Sequence, residues 1–192
     1  MLVNLLYDET SHRAQLLRAF RTVFESTEMP YFEEFQDSGL SHVMIDSKND
    51  IQAFVLVQET PESTGNYEIA FLGVCPAYRK KGYAKFLVDI VLQLSQNKGV
   101  WLNVITSNTS AYNLYKKLNF DESEKFVSDL GEPAVRFTWG VEYGCYHCKT
   151  VIRPSKTLWE MTPTSVEMTL HGVKQVLTLQ SFCFSCRTRV EA

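Results

Sequence analysis

The chain has 192 residues, a length that suits one domain or one domain with a small appendage. Its hydrophobic residues, 45% of the total, suffice for a core and exclude a disordered chain, and its net charge of −3 excludes a broadly basic nucleic-acid binder. Because no run approaches the ~18 apolar residues of a membrane span and the N-terminus lacks signal-peptide features, we expect a cytoplasmic or nuclear protein that is not secreted and has no membrane partner.

Apolar spacing predicts ten elements in the order β-α-β-β-β-α-β-α-β-β, with a loop or short helix over 29–40. They cover about 1–6, 11–25, 42–46, 51–59, 67–74, 84–97, 100–105, 109–118, 123–128 and 134–139. This order predicts an α/β (α+β) domain over 1–140, with a mixed, mostly antiparallel sheet flanked by helices. A small β appendage is predicted over 141–192.

A glycine-containing turn, Arg79–Ala84, lies between a predicted buried strand and the start of a helix. Consecutive backbone N–H groups at a helix N-terminus can hold a phosphate, and Gly82 and Ala84 allow a ligand to approach closely. Positive charge is added by Lys80, Lys81 and Lys85. From these residues alone, a solvated basic helix start is an equally good interpretation.

Two motifs resemble those of the GCN5-related N-acetyltransferase (GNAT) superfamily. Arg79–Ala84 resembles the family's (Gln/Arg)-x-x-Gly-x-(Gly/Ala) loop, and 108–120 is similar to its Asn-x-x-Ala-x-x-Leu-Tyr-x-x-x-x-Phe signature. Asn119 stands where the family usually has Gly, a small departure because Asn tolerates the left-handed conformation at a helix end. The resemblance covers about 1–140 and matches the predicted element order.

The resemblance implies acetyl-coenzyme A as co-substrate. Its pyrophosphate would lie on the loop formed by Arg79, Lys80, Lys81, Gly82, Tyr83, Ala84 and Lys85. In the family the preceding strand splays from its neighbour at a bulge, so free backbone groups near Leu72, Gly73 and Val74 would bind the pantetheine arm. Gly73 would fit the bulge or a close backbone approach. Asn108 either contacts the cofactor or only caps its helix.

The resemblance also implies two catalytic residues. Tyr115 matches the tyrosine that protonates the departing thiolate, whereas its helical spacing alone favours a core tyrosine. Glu68, expected to share a strand face with Ala70, Leu72 and Val74, resembles the glutamate that serves as general base. The alternative for Glu68 is a solvent-facing carboxylate or one paired with a lysine.

Five cysteines in a chain expected to be cytosolic favour metal binding or catalysis over disulfides. We interpret Cys75 as a small packing residue. The other four form two C-x-x-C pairs, with 34 residues between the pairs, and provide four thiolates for a structural Zn²⁺: Cys145, Cys148, Cys183 and Cys186. A redox pair or free thiols are the alternatives to this zinc-ribbon-like domain over 141–192.

The sequence thus predicts an N-acetyltransferase that transfers acetyl directly to an amine of a protein lysine, a protein N-terminus or a small molecule. The zinc ribbon would stabilise the protein, dock a protein partner or contact nucleic acid. The rival hypotheses are a non-catalytic binding module of the same fold and a zinc-ribbon subunit of a nucleic-acid or protein complex.

Overall fold

A computed structural model describes residues 2–59, 66–95 and 98–140, and the backbone of 143–144, 151–152, 157–169 and 172–183. The chain divides into two compact units, Met1–Gly140 and Val141–Ala192. Among the described residues, no helix combines the length and apolar character that crossing a membrane requires.

The first unit contains seven strands and four α-helices among its described residues. In chain order they are β1 Val3–Leu6, α1 Glu9–Val23, α2 Met29–Glu34, β2 His42–Ile45, β3 Ile51–Glu59, β4 Tyr67–Val74, α3 Tyr83–Leu94, β5 Val100–Ile105, α4 Thr109–Lys117, β6 Asp121–Val127 and β7 Pro133–Trp139. The predicted order is confirmed, with α2 as the short helix of the 29–40 segment.

Local chemistry explains where the helices begin and end. The Asp8 carboxylate accepts a hydrogen bond from the Ser11 N–H at 2.8 Å and caps α1, and Asn108 caps α4 through the Ala111 N–H at 3.1 Å. After α4, Asn119 adopts a φ of 60°, the left-handed conformation expected at this helix end.

The seven strands form one sheet in the order β1-β2-β3-β4-β5-β7-β6. Every neighbouring pair is antiparallel except β4 and β5, so the predicted mostly antiparallel sheet is confirmed. The parallel pair lies at the centre, where α3 connects its two strands.

Each face of the sheet carries its own hydrophobic core. On one face α3 and α4 cover an aliphatic cluster that includes Leu87, Val91 and Leu102. On the other face α1 and α2 cover an aromatic cluster that includes Phe20 and Phe71. The two clusters anchor the central strands from both sides and hold β4 in place.

The second unit contains two antiparallel strand pairs. β8 (Tyr143–Gly144) pairs with β9 (Val151–Ile152), and β10 (Thr157–Thr169) pairs with β11 (Gly172–Cys183). Strands β8 and β11 also contact each other.

Candidate active site

Strands β4 and β5 separate after a short parallel contact. Tyr67 pairs with Val100 and Glu68 with Trp101, and no later residue of β4 pairs with β5. On its other side β4 pairs with β3 as far as Val74. The splay implied by the family resemblance is therefore present, and we call this divergence beyond Glu68 and Trp101 the fork.

A bulge in β4 changes which residues share a face with Glu68. In the β3–β4 ladder Leu56 pairs with Phe71, but the next residue, Val57, pairs with Ile69, so Ala70 is the extra residue. An inserted residue reverses the alternation of side chains. The expectation that Glu68 shares a face with Leu72 and Val74 is therefore wrong.

Glu68 instead faces the side of the sheet covered by α1 and α2, at the last paired position before the fork. Its carboxylate Oε2 accepts a hydrogen bond from Gln58 Nε2 at 2.8 Å. Burial raises the pKa of Glu68, whereas the Gln58 hydrogen bond and the Arg136 charge act to lower it. A carboxyl group with a raised pKa suits proton transfer near neutral pH.

Polar and aromatic side chains continue from Glu68 across β5, β7 and β6 on the same face. Arg136 donates from Nε to Asn103 Oδ1 at 3.2 Å and pairs with Glu124 Oε2 at 3.0 Å. Its guanidinium carbon lies 4.8 Å from the centre of the Trp101 ring. We call Gln58, Glu68, Trp101, Arg136 and Glu124 the polar row.

The free edge of β4 presents backbone groups to the fork. The Cys75 N–H donates to the Gln52 carbonyl in β3, so the alternation of the strand directs the backbone of Leu72 and Val74 toward the fork. Arg79 Nε donates to the Val74 carbonyl at 3.0 Å, which ties the end of β4 to the following loop.

Gly73 is not at the bulge, but it does permit a close approach, made by an aromatic side chain. The bulge lies at Ala70, and the same alternation directs the Gly73 backbone at β3. A Cβ at Gly73 would lie 2.5 Å from the Phe54 ring. Glycine is therefore required here because an aromatic ring packs on it. Of the three predicted pantetheine contacts, Leu72 and Val74 face the fork.

The loop after β4 has the backbone geometry of an anion site. Gly82 is the N-cap of α3 with a φ of 86° and no side-chain capping bond, and Lys80 also has a positive φ of 60°. A Cβ at Gly82 would meet no atom within 4 Å, so the space in front of this helix terminus is open. The first N–H groups of α3 point into that space.

The charged side chains of the loop are already partly engaged. Lys85 pairs with Asp89 at 2.5 Å, and the Lys81 ammonium lies 5.1 Å from the centre of the Tyr78 ring. Tyr83, at the start of α3, lies near the same tyrosine. Any anion at this loop would therefore be bound mainly by the backbone amides at the start of α3, with Lys80 and the rest of the Arg79 guanidinium beside them.

Tyr115 projects from α4 into the aliphatic core. Its side chain is 4% exposed, and its ring packs against Phe120 and Phe137. Burial raises the pKa of Tyr115, so the phenol keeps its proton at neutral pH. Asn108 forms the predicted cap, and Cys75 is buried as a free thiol, as its packing interpretation predicts.

None of the four cysteines predicted to bind zinc has a side chain that the structure describes. Cys145, Cys148 and Cys186 lie outside the described residues, and Cys183 is described only as the last backbone position of β11.

The site residues predicted from the sequence do not include Gln58, Arg136 or Trp101. Their strands were predicted, but the sequence does not show the strand order and register that pair Gln58 and Trp101 with Glu68 and place Arg136 one strand further on the same face. The available signal was the polar character of Gln58 and Arg136 within otherwise apolar strands.

Comparisons with known proteins show the family and the fold of the chain. Residues 10–120, more than half of the chain, match the model of the Acetyltransferase (GNAT) family. A [ribosomal protein bS18]-alanine N-acetyltransferase of Haemophilus ducreyi is 32% identical over 78 residues, which are 39% of this chain. The chain covers 52%, about half, of that relative's length.

Two solved structures share the fold. The NatC complex bound to Gag peptide and CoA contains a chain with a TM-score of 0.64 and 20% identity, covering 73% of this chain and 98% of that one. Arabidopsis thaliana NAA60 in complex with acetyl-CoA has a TM-score of 0.58 and 21% identity, covering 73% and 100%.

Proposed function

Because this chain belongs to the acetyltransferase (GNAT) family, we propose that it is an N-acetyltransferase that moves acetyl from acetyl-coenzyme A to an amine in a ternary complex. The fork is the observation that carries the proposal. The unpaired edge of β4 borders the fork, the partly buried Glu68 carboxylate lies at its start, and the open α3 N-terminus at Gly82 follows β4 along the chain.

The described residues fit the co-substrate in two places. The α3 N-terminus, with Arg79 and Lys80 beside it, would bind the pyrophosphate. The backbone of Leu72 and Val74 would bind the pantetheine amides, much as an added strand pairs with a sheet edge. Both features support cofactor binding on the fork side of β4.

The chemistry divides between two side chains. Glu68 accepts one proton from the substrate ammonium, and the neutral amine then attacks the thioester carbon. As the C–N bond forms and the C–S bond breaks, Tyr115 gives its proton to the thiolate and is reprotonated by the second amine proton. Glu68 releases its proton to solvent, so the net products are an amide, a thiol and one proton.

We further propose a peptide α-amino group as acceptor. The named activity of the H. ducreyi relative and the Gag peptide in the NatC structure support this choice. An α-amino group has an ordinary pKa of about 8, against about 10.4 for lysine, so a carboxylate base can deprotonate it more easily. The open polar row beside Glu68 would receive the peptide.

Acceptor choice is tested by incubating the protein with acetyl-coenzyme A and a peptide library that contains free N-termini and internal lysines. Mass spectrometry should locate acetyl groups on the N-termini. Acetylation confined to lysines or to small amines would contradict the acceptor proposal and leave the N-acetyltransferase proposal standing.

Cofactor binding is tested by thermal unfolding. Acetyl-coenzyme A should raise the Tm of the wild-type protein because it binds only the folded state. Gly82→Glu should abolish the shift, since a side chain and a negative charge would occupy the pyrophosphate site. Gly131→Glu is a matched control, because Gly131 also has a positive φ of 78° and open space around its Cβ position. A full shift in Gly82→Glu would exclude this loop as the site.

The acid role of Tyr115 is tested by Tyr115→Phe, which should lower kcat by roughly 10²–10⁴-fold with little change in cofactor affinity. Tyr112→Phe is the control, because Tyr112 lies on the same helix and its hydroxyl donates a hydrogen bond to Glu122 Oε1 at 2.5 Å. If kcat is measured under conditions in which the chemical step limits the rate and Tyr115→Phe leaves it unchanged, Tyr115 is a packing residue and not the acid. A cofactor-induced Tm shift without any turnover would favour the binding-module hypothesis.

For the second unit we propose one structural Zn²⁺ bound by Cys145, Cys148, Cys183 and Cys186. The first cysteine pair lies in the connection between the paired strands β8 and β9, and β8 contacts β11, which ends at Cys183. Such closed thiolate sites stabilise small units that have little core. We also propose that the protein is cytoplasmic or nuclear. The second unit would in addition dock a partner.

Elemental analysis of protein purified without chelator should find one zinc per chain. Cys183→Ser should remove most of the metal and leave acetyl-coenzyme A binding intact, because the first unit carries its own core. Absence of zinc, or oxidised cysteine pairs in reduced cytosol, would contradict this proposal.

A further inference from the structure

Glu68 faces a conflict if it is the base, and the inference below rests on that proposed role. A base must be ionised before the reaction, whereas burial favours its protonated form. Glu68 lies at the last paired position before the fork. If it is partly buried there and still ionised, nearby groups must stabilise its negative charge. The polar row shows which neighbours can do this.

Two side chains act on the carboxylate, one through a hydrogen bond and one through its charge. Gln58, opposite Glu68 in the β3–β4 ladder, donates the 2.8 Å hydrogen bond to Oε2. Arg136 is the charged group whose field acts on Glu68 within the part of the chain that the structure describes. The helices α1 and α2 present aromatic rings to β4, with Phe20 and Phe32 against Phe71.

Arg136 is itself held firmly in place. Its guanidinium lies between two aromatic rings, 4.8 Å from the centre of Trp101 and 5.7 Å from that of Phe126. The Asn103 oxygen and the Glu124 carboxylate bind its Nε and Nη1. A stacked guanidinium with two such contacts has few alternative rotamers, so its charge stays at a constant place relative to the fork.

We propose that Gln58 and Arg136 are positioning residues that keep the Glu68 carboxylate ionised and aimed at the fork. Gln58 fixes the orientation of the carboxylate by binding Oε2. Among the residues that the structure describes, the proton would go to Oε1. Arg136 stabilises the negative charge from β7 without a direct hydrogen bond to it. Glu124 limits this effect, because its negative charge partly neutralises Arg136.

The sign of each substitution follows from these charges. Burial raises the pKa of Glu68, and the Gln58 hydrogen bond and the Arg136 charge oppose that rise. Arg136→Gln and Gln58→Met should each raise the pKa further. Glu124→Gln removes a negative charge and should lower it. Arg136→Lys keeps the charge but loses the stacked guanidinium, so it should raise the pKa of Glu68 less than Arg136→Gln does.

The experiment measures Glu68 in two ways. In the first, the Glu68 carboxyl carbon is titrated by NMR in the cofactor-free protein, with Glu68→Gln to assign the signal. In the second, kcat/KM is measured against pH, and its acidic limb should move to higher pH in Arg136→Gln and Gln58→Met and to lower pH in Glu124→Gln.

Arg13→Gln is a matched control. Arg13 is 37% exposed against 36% for Arg136, it also pairs with a carboxylate, Glu9, and its guanidinium lies 5.1 Å from the centre of the Phe32 ring. Its removal should move neither the NMR midpoint nor the acidic limb.

The outcomes separate this inference from the proposed function. Unchanged NMR midpoints in both Arg136→Gln and Gln58→Met would overturn the inference, as would an equal shift in Arg13→Gln. Shifted midpoints with an unmoved acidic limb would also overturn it, because the charge would then have no part in catalysis. Failure of the proposed function has a different signature, namely no acetyl transfer by the wild type or unchanged kcat in Glu68→Gln.

Discussion

One face of the central sheet has two halves that differ in nearly every respect. Over β3 and β4 it is covered by α1 and packed with phenylalanines, of which Phe20, Phe32 and Phe54 are fully buried. Over β5, β7 and β6 it carries three members of the polar row, Trp101, Arg136 and Glu124, of which Arg136 is half-buried and Glu124 exposed.

The difference shows how one sheet can supply both stability and a reactive site. The phenylalanine half removes a large apolar area from water and anchors β4. The polar half contributes little to stability, because its ion pair is solvent-exposed. Glu68 lies at the border, where burial raises its pKa while the Gln58 hydrogen bond and the Arg136 charge act to lower it.

The largest effect is expected from replacing Glu68, the residue at the border between the two halves. Glu68→Gln should lower kcat by roughly 10²–10⁴-fold, because no carboxylate remains to accept the proton. Its Tm should equal or exceed that of the wild type, since the raised pKa means that folding disfavours the ionised carboxylate.

The sign of the pH dependence follows from the same shift. A carboxyl whose pKa is raised by folding stabilises the protein below its unfolded-state pKa, and this contribution disappears as pH rises through the folded-state value. The Tm of Glu68→Gln relative to the wild type should therefore increase across that interval. A marked loss of Tm in Glu68→Gln at neutral pH would mean that Glu68 stabilises the fold.

The second effect tests the covered half. Phe20→Ala should reduce the free energy of unfolding by about 3–5 kcal/mol, because it opens a cavity among Phe24, Phe32 and Phe71. Urea unfolding measures this loss, and the kcat of the folded fraction should stay near the wild-type value.

Phe126→Ala on the open half is the comparison variant. It should cost less than Phe20→Ala because Phe126 is only half-buried. Similar losses from the two truncations would show that the halves do not divide stability and chemistry as described.

The smallest effect is expected at the contact between Gly73 of β4 and the Phe54 ring. Gly73→Ala should cost about 1–3 kcal/mol, since the new methyl would overlap the Phe54 ring. Phe54→Leu should cost less in the Gly73→Ala background than in the wild type, and a double-mutant cycle of unfolding free energies measures this coupling. Additive losses would mean that the ring does not press on Gly73.

Much of the fold could be predicted from local sequence patterns. Apolar spacing predicted α1, α3, α4 and the strands in their order, because each element must bury one face whatever its neighbours are. The Asn108 cap and the left-handed Asn119 follow from the chemistry of single residues. Tyr115 and the loop around Gly82 were predicted from the two motifs, and Glu68 from its place on the buried strand and its resemblance to the family's glutamate.

Other features depended on contacts between residues distant in sequence. The bulge at Ala70 leaves no mark in the sequence, because the residues around it are apolar on both faces of the strand. It nevertheless reverses the alternation of side chains along β4 and gives Glu68 different neighbours. Gly73 is required by Phe54, nineteen positions earlier, and not by a turn of its own. Strand register likewise brings Arg136 to the side of the fork. Local patterns determine which elements form because burial acts on every segment separately, whereas only tertiary packing decides which side chains meet.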